Sequence, residues 1–173
     1  ALGWDVPEFV HLPTVLNKDH KKLSKRQGDV SVEDFRGKGY LPEGLINYLA
    51  LVGWSPDGEE EILSMDELIE QFSFEKVVKS GGVFDVDKLN WVNAHYMKSY
   101  DLDKIVELSI PFVVEKGLMT EEEIRANYDW YKKLVEIVRD GASKLDEIPD
   151  LISFMFGELK IEEESAIEQI KLE

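Results

Sequence analysis

Apolar residues recur every three or four positions along most of this chain, which predicts amphipathic helices that each bury one face. Residues suited to helix starts precede these runs: a serine with an acid three residues later, an aspartate, or a proline in the first turn. In the first hundred residues we predict short helices at Ser31 with Asp34, at Pro42 with Leu45, Ile46, Leu49 and Ala50 up to Gly53, at Ser64 with Glu67, Leu68, Ile69 and Phe72, and at Asp85 with Leu89, Val92 and Tyr96.

The pattern becomes wholly helical after Tyr100, so we predict a domain boundary near that residue. Because each of the predicted helices has one apolar face, they should pack together as a helical bundle. They run from Asp101 through Leu102, Ile105, Val106 and Leu108, past a kink at Pro111, through Phe112 and Val113 to Gly117; from Thr120 with Glu123 through Ile124, Tyr128, Tyr131, Val135 and Val138 to Gly141; and, after Pro149, from Asp150 to Phe156.

The β component is predicted to be small. The segment from His11 to Leu16 is short and partly β-branched, which indicates a strand or an extended piece. Trp54 follows a helix end and has two interpretations: it stacks on an RNA base or sugar, or it packs in the core. The core is the favoured one, because large aromatic residues at such positions usually pack. The predicted fold class is therefore mainly α with a small β component.

Composition narrows the classes of function. With 173 residues, 43% of them hydrophobic, the chain can bury a core. It has no cysteine, so it has neither disulfides nor a thiolate metal site, and a reducing cytoplasm is compatible with it. The three histidines, His11, His20 and His95, lack the spacing of a helical zinc pair, so no metal is assigned. No apolar run approaches the roughly 20 residues that cross a bilayer.

A basic segment, Lys18 to Gly28, interrupts this acidic chain, which has 36 acidic and 20 basic residues and a net charge of −16. Lysine ammonium groups, the Ser24 hydroxyl and the bend allowed at Gly28 would suit a phosphate ligand. On spacing alone, a solvated surface is the commoner explanation for such a segment. Around a single acid, Asp19, its basic residues are Lys18, Lys21, Lys22, Lys25 and Arg26.

The stretch Lys22-Leu23-Ser24-Lys25-Arg26 resembles the KMSKS signature of class I aminoacyl-tRNA synthetases, in the KLSKR form typical of glutamyl-tRNA synthetases. The resemblance is strongest from Ala1 to about Tyr100. Further stretches resemble that family in the same order: Leu2-Gly3-Trp4 with Pro7, Phe9 and His11-Leu12-Pro13; Gly39 to Leu51 followed by Gly53-Trp54-Ser55-Pro56; and Phe84-Asp85 with Lys88 to Asn93.

The resemblance implies three parts. Residues 1–30 would be a remnant of the catalytic domain with its KMSKS loop, residues 31–100 a stem-contact fold, and residues 101–173 the start of the helical anticodon-binding bundle. The family would use ATP, with magnesium, to activate glutamate and join it to tRNA. In the loop, the resemblance makes Lys22, Ser24 and Lys25 catalytic and makes Lys22, Leu23, Ser24, Lys25 and Arg26 the ATP contacts, with Lys25 the leading one.

The expected partners are the tRNA for glutamate, ATP, and glutamate held by a nucleotide-binding half that we expect upstream of Ala1-Leu2-Gly3-Trp4. We expect a cytoplasmic monomer. The acidic tail from Glu158 to Glu173 would repel RNA. Polar candidates for tRNA contact in the stem-contact part, each more often a solvated helix face, are Lys88, Asn90, Asn93, His95 and Lys98.

Three functions from different classes remain at this point. The first is part of a glutamate–tRNA ligase. The second is a stand-alone RNA-binding or protein-docking module without catalysis. The third is an acidic helical scaffold with no RNA role, which explains the charge but leaves the ordered series of matching stretches to coincidence.

Overall fold

The computed structural model describes residues 3–24 and 31–157, and the chain divides between Ser99 and Tyr100 into two compact units. No helix within these described ranges is long and apolar enough to cross a bilayer. In its described residues, the first unit has the helices α1 (Val32–Gly37), α2 (Pro42–Leu51), α3 (Met65–Gln71) and α4 (Val86–Ser99), with a 3-10 turn at Phe74–Lys76.

Local sequence signals set the starts of these helices. The Ser31 hydroxyl accepts a hydrogen bond from the Asp34 amide at 3.2 Å, and the Asp34 carboxylate accepts one from the Ser31 amide at 2.9 Å. Ser64 and Glu67 form the same reciprocal box at the start of α3. Each box satisfies backbone N–H groups that a helix start leaves unpaired. The predicted starts of α1 and α3 are confirmed.

The packing of α2 against α4 differs from the predicted stripe. Ile46 and Leu49 are 42% and 45% exposed, whereas the buried face of α2 includes Leu45, Tyr48 and Gly44. A Cβ atom at Gly44 would lie 2.5 Å from Asn93 Oδ1, so this glycine lets the two helices approach closely. The prediction that Ile46 and Leu49 are buried is wrong because this close contact turns another face of α2 toward α4.

Two hydrophobic clusters lie among the described residues of the first unit. Trp54 belongs to the smaller one, with Leu63 and Leu68, and is only 2% exposed. The packing interpretation of Trp54 is confirmed, and its ring cannot stack on RNA while it is buried there. The larger cluster consists of Phe35, Tyr40, Leu45, Tyr48, Phe84, Leu89 and Val92.

The β pairing among the described residues consists of isolated bridges between single residues. Leu16 forms isolated bridges with Lys22 and with Val83, and Trp54 forms one with Val77. In residues 3–24 and 31–157, no paired run is long enough to be a strand. The segment from His11 to Leu16 is therefore extended, and only its last residue takes part in β pairing.

The described part of the second unit, residues 100–157, contains α5 (Leu102–Glu115), α6 (Glu121–Ala126), α7 (Tyr128–Val138) and α8 (Ile148–Ile152), with 3-10 turns at Arg139–Gly141, Leu145–Glu147 and Ser153–Met155. The Thr120–Glu123 capping box is confirmed. The single long helix predicted after it is wrong, because Asn127 leaves helical geometry (φ −123°, ψ 37°) and its side chain donates to the Glu123 carbonyl.

The last predicted helix also has different bounds. It begins at Ile148, before Pro149, because proline is well accommodated in a first turn, where its missing N–H would have no helical partner. It gives way to a 3-10 turn after Ile152. In the interior of the described part of this unit, the hydroxyl oxygens of Ser109 and Tyr131 share a hydrogen bond at 2.6 Å. Burial raises the pKa of Tyr131 to about 12, so this pair is neutral.

Candidate functional site

The described part of the basic segment is a tight hairpin between Leu16 and Lys22. The Asn17 amide donates to the Lys21 carbonyl at 2.8 Å, and the Leu23 amide donates to the Val15 carbonyl at 3.0 Å. The Asn17 side-chain oxygen accepts from the amides of Asp19 and Lys21 at 3.0 and 2.9 Å. An asparagine that bonds the backbone ahead of it is typical of turns, so Asn17 organises this one.

Backbone hydrogen bonds join the hairpin to the segment before α4. The Leu16 amide donates to the Gly82 carbonyl, and the Phe84 amide donates to the Leu16 carbonyl, both at 2.8 Å. A Cβ atom would lie 2.6 Å from the Thr14 carbonyl oxygen at Gly81 and 1.7 Å from the Val52 carbonyl oxygen at Gly82. These glycines therefore provide the space in which the hairpin and the end of α2 approach each other.

Lys18 is held by two carboxylates at the start of α4. Its ammonium nitrogen lies 2.7 Å from Asp87 Oδ2 and 3.2 Å from Asp85 Oδ1. Hydrogen bonds to Asp87 and then to Asp85 raise the pKa of Lys18. The pKa of Asp85 is lowered, first by the hydrogen bond from the Asp87 amide and next by Lys18. Lys18 thus fastens the hairpin to α4, and it is not a free cation for a phosphate.

The remaining motif residues have different surroundings. Leu23 packs against the larger hydrophobic cluster, which anchors the chain between the hairpin and α1. Lys22 is exposed and forms no ion pair with the residues that the structure describes, and Ser24 is half-buried next to it. Lys25 and Arg26 lie outside the described residues. The hairpin therefore presents Lys22 to solvent on a base fixed by Leu23 and Lys18.

The polar candidates on α4 separate into two groups. Asn93 is fully buried and accepts a hydrogen bond from the Leu41 amide at 2.9 Å, so it cannot contact RNA. Asn90 accepts a hydrogen bond from the Tyr40 hydroxyl, and Lys88 pairs with Glu61. The last two candidates, His95 and Lys98, are exposed.

Sequence reasoning missed the neighbour of these exposed residues. Trp91 is 46% exposed, and its ring centroid lies 4.7 Å from that of His95 in an edge-to-face arrangement. The spacing of four residues on a predicted helix could have found the pair. With Lys98 farther along α4, these side chains form an exposed aromatic and cationic stripe, a combination that suits contact with bases and phosphates.

The carboxylates do not gather into a metal centre. Among residues 3–24 and 31–157, no group of three or more histidine, aspartate or glutamate side chains could hold a metal ion. Asp85 and Asp87 face Lys18 instead, as described above.

Residues 1–91 match the family model of the catalytic domain of class I tRNA synthetases (E and Q), where the letters denote glutamate and glutamine. The chain belongs to this family. The match covers the hairpin, the segment before α4 and the first turns of that helix. Lys22 and Ser24 lie within the matched range.

Curated relatives of this synthetase chain extend the similarity to the second unit. A glutamate–tRNA ligase of Clostridioides difficile is 52% identical over 100% of this chain and 35% of its own length. Another, from Alkaliphilus metalliredigens, is 56% identical over 88% of this chain and 30% of its own length. The chain thus spans about a third of the relatives that it matches.

Solved structures of this family agree with the fold. The glutamate–tRNA synthetase of Elizabethkingia anophelis has a TM-score of 0.77 and is 30% identical, covering 97% of this chain and 36% of its own. A glutamate tRNA ligase of Elizabethkingia meningosepticum, solved in complex with its amino acid, has a TM-score of 0.74 at 30% identity, again over 97% of this chain and 36% of its own.

Proposed function

We propose that this chain is part of a glutamate–tRNA ligase, an enzyme that activates glutamate with ATP and transfers it to the tRNA for glutamate. The observation that carries the proposal is an identity of 42% to 56% with relatives of that name, over 88% to 100% of the chain. This continuous similarity, through the hairpin and both units, favours the ligase over a stand-alone RNA-binding or docking module.

The basic hairpin and the residues after it would act as the KMSKS loop in this proposal. Adenylate formation transfers the α-phosphate of ATP to the glutamate carboxylate and expels pyrophosphate, so negative charge builds on the departing oxygens. Cations placed there in advance lower the barrier. We assign Lys25 as the leading ATP contact and Lys22 as a second cation, with Ser24 and Arg26 as hydrogen-bonding helpers.

The surroundings of the hairpin support these assignments. Lys22 points into solvent with no ion pair to any described residue, so its charge is available to an anion. Leu23 is packed in the cluster and Lys18 is held by Asp85 and Asp87, so the base of the loop is fixed. We therefore narrow the role of Leu23 to holding the loop in place.

Magnesium is expected to accompany ATP in this family. The described residues offer no carboxylate cluster for it, so they do not fit a protein-bound ion, and the proposal gives the ion no role among them. Lys22 can attract phosphate oxygens through its charge, and Ser24 can form hydrogen bonds with them.

For tRNA, the exposed stripe of Trp91, His95 and Lys98 on α4 is the proposed contact of the first unit. Bases can stack on its rings, and phosphates can pair with its lysine. The second unit is proposed to begin the helical anticodon-binding domain. We place the ligase in the cytoplasm, with which its lack of cysteine is compatible, and we take it to be a monomer.

The proposal is tested with a chimera in which this chain replaces the matching third of the Clostridioides difficile ligase. We expect the chimera to charge tRNA with glutamate, and we expect this chain alone to be inactive. A chimera that unfolds at the same temperature as its parent, yet neither exchanges pyrophosphate nor charges tRNA, would contradict the proposal. Binding of tRNA by such an inactive chimera would favour the non-catalytic module.

A further inference from the structure

The turn of the basic hairpin contains a residue that its backbone conformation does not favour. The His20 amide donates to the Asn17 carbonyl at 2.9 Å, which closes the turn, and His20 itself has φ 57°, in the left-handed region. A hairpin turn that ends in a left-handed residue usually has glycine there, because a Cβ atom crowds the backbone in that conformation. At every other position of positive φ in residues 3–24 and 31–157, the residue is glycine: Gly3, Gly39, Gly58 and Gly117.

The side chain of His20 gives the fold nothing in return for this conformation. It is exposed, and it forms no hydrogen bond, ion pair or ring contact with any residue that the structure describes. Left-handed residues other than glycine are concentrated at binding and catalytic sites, where the side chain has a use outside the fold. The imidazole of His20 is therefore a candidate contact for another molecule.

The hairpin turn and the exposed side of α4 form one surface. Lys18, in the turn, pairs with Asp87 in the first turn of α4. Trp91 and His95 follow Asp87 at intervals of four residues, and Lys98 follows three residues later, so all four lie on the same side of the helix. All four are exposed. The turn therefore adjoins the stripe that is proposed to contact tRNA.

We propose that His20 and Lys21 contact the tRNA, so that the hairpin turn extends the stripe on α4 into one RNA-binding surface. Lys21 is exposed and forms no ion pair with any described residue, so its ammonium group is available to a phosphate. An imidazole ring can stack on an unpaired base or donate to a phosphate. Asp19 is the acid of this turn, and the charges of Lys21 and Lys22 together exceed its own. The assignment rests on the proposed ligase function and adds to it an RNA contact outside the motif.

The test measures binding of fluorescent tRNA by the chimera with the Clostridioides difficile ligase, across a salt series. His20→Gly removes the ring and places the favoured residue at the left-handed position, so it should unfold at the same or a higher temperature. It should nevertheless bind tRNA about threefold to tenfold more weakly, the range of one lost hydrogen bond. Lys21→Ala should also weaken binding, and it should lower the slope of log affinity against log salt by about one phosphate contact. His20→Gly should leave that slope unchanged.

Lys79→Ala is the control, because Lys79 is an exposed lysine of the first unit outside the hairpin and α4, and it should change neither affinity nor slope. If the chimera charges tRNA but His20→Gly and Lys21→Ala bind it as Lys79→Ala does, the RNA contact is refuted and the ligase function stands. If the two variants weaken tRNA binding in a folded chimera that does not charge, the contact stands and the ligase function is refuted. A folded chimera that binds no tRNA would refute both.

Discussion

The basic hairpin and the polar face of α4 look alike in the sequence, since each is a short run of cationic and amide side chains. In the structure, some residues of each run are bonded to other parts of the protein, and the others face solvent. Lys18 in the hairpin and Asn93 on α4 are bound to the protein itself, whereas Lys22 and the pair of His95 and Lys98 face solvent. Residue type alone therefore does not identify a ligand contact; the element packed against it does.

The largest effect is expected from Gly82→Ala, which disturbs the close packing that holds the hairpin in place. The new Cβ would lie 1.7 Å from the Val52 carbonyl oxygen, so the backbone must move. We expect a loss of about 3 kcal/mol in the free energy of unfolding, measured with urea. Gly53→Ala is the matched control, because a Cβ there meets nothing within 4 Å. Equal stabilities of the two variants would refute the close approach.

Two variants on α4 distinguish its buried, hydrogen-bonded residues from its exposed ones. Asn93→Ala removes the acceptor of the buried Leu41 amide, so we expect it to lower the free energy of unfolding by about 1 to 3 kcal/mol. Lys98→Ala is exposed and should change it by less than about 0.5 kcal/mol.

The same two variants should differ in the opposite sense in tRNA binding by the chimera. Lys98→Ala should weaken binding at low salt, because it removes a phosphate contact and its released counterion. Asn93→Ala should retain that contact in the molecules that are folded. A salt dependence unchanged by Lys98→Ala would remove α4 from the proposed interface.

A smaller effect is expected from the attachment of Lys18. Because the pKa of Asp85 is lowered in the folded chain, its contribution to stability is complete above its ordinary pKa of 3.8 and is lost as the pH falls through the lowered value. Asp85→Asn should therefore make the unfolding temperature less dependent on pH in that acidic range. Asp66→Asn is the control, and an identical pH profile for both variants would show that the lowered pKa of Asp85 does not contribute.

Sequence reasoning succeeded where the signal was local. The capping boxes at Ser31, Ser64 and Thr120 involve residues three positions apart, and all three were predictable. The buried face of α2 was not, because it depends on the fit of Gly44 against Asn93, about 50 residues later in the chain. Asn127 interrupts the long helix through its own side-chain bond, a competition that apolar periodicity cannot register.

The candidate site shows the same limit. The motif from Lys22 to Arg26 was readable from the sequence, and Asn17 ahead of it could have predicted the turn. The attachment of Lys18 to Asp87 could not, because it joins residues 69 positions apart. Likewise, the role of Gly81 and Gly82 in close packing could not be predicted, because it depends on Thr14 and Val52, which are distant in the sequence.

The central claim, that the basic hairpin and the residues after it supply cations for adenylate formation, is tested most directly by glutamate-dependent exchange of pyrophosphate into ATP. The chimera would carry Lys25→Ala, Lys22→Ala or, as control, Lys21→Ala. We expect Lys25→Ala to slow exchange about a hundredfold, the order of one lost transition-state contact. Lys22→Ala should slow it less, and Lys21→Ala should leave it unchanged. Exchange by Lys25→Ala at the rate of Lys21→Ala, with both variants folded, would contradict the account.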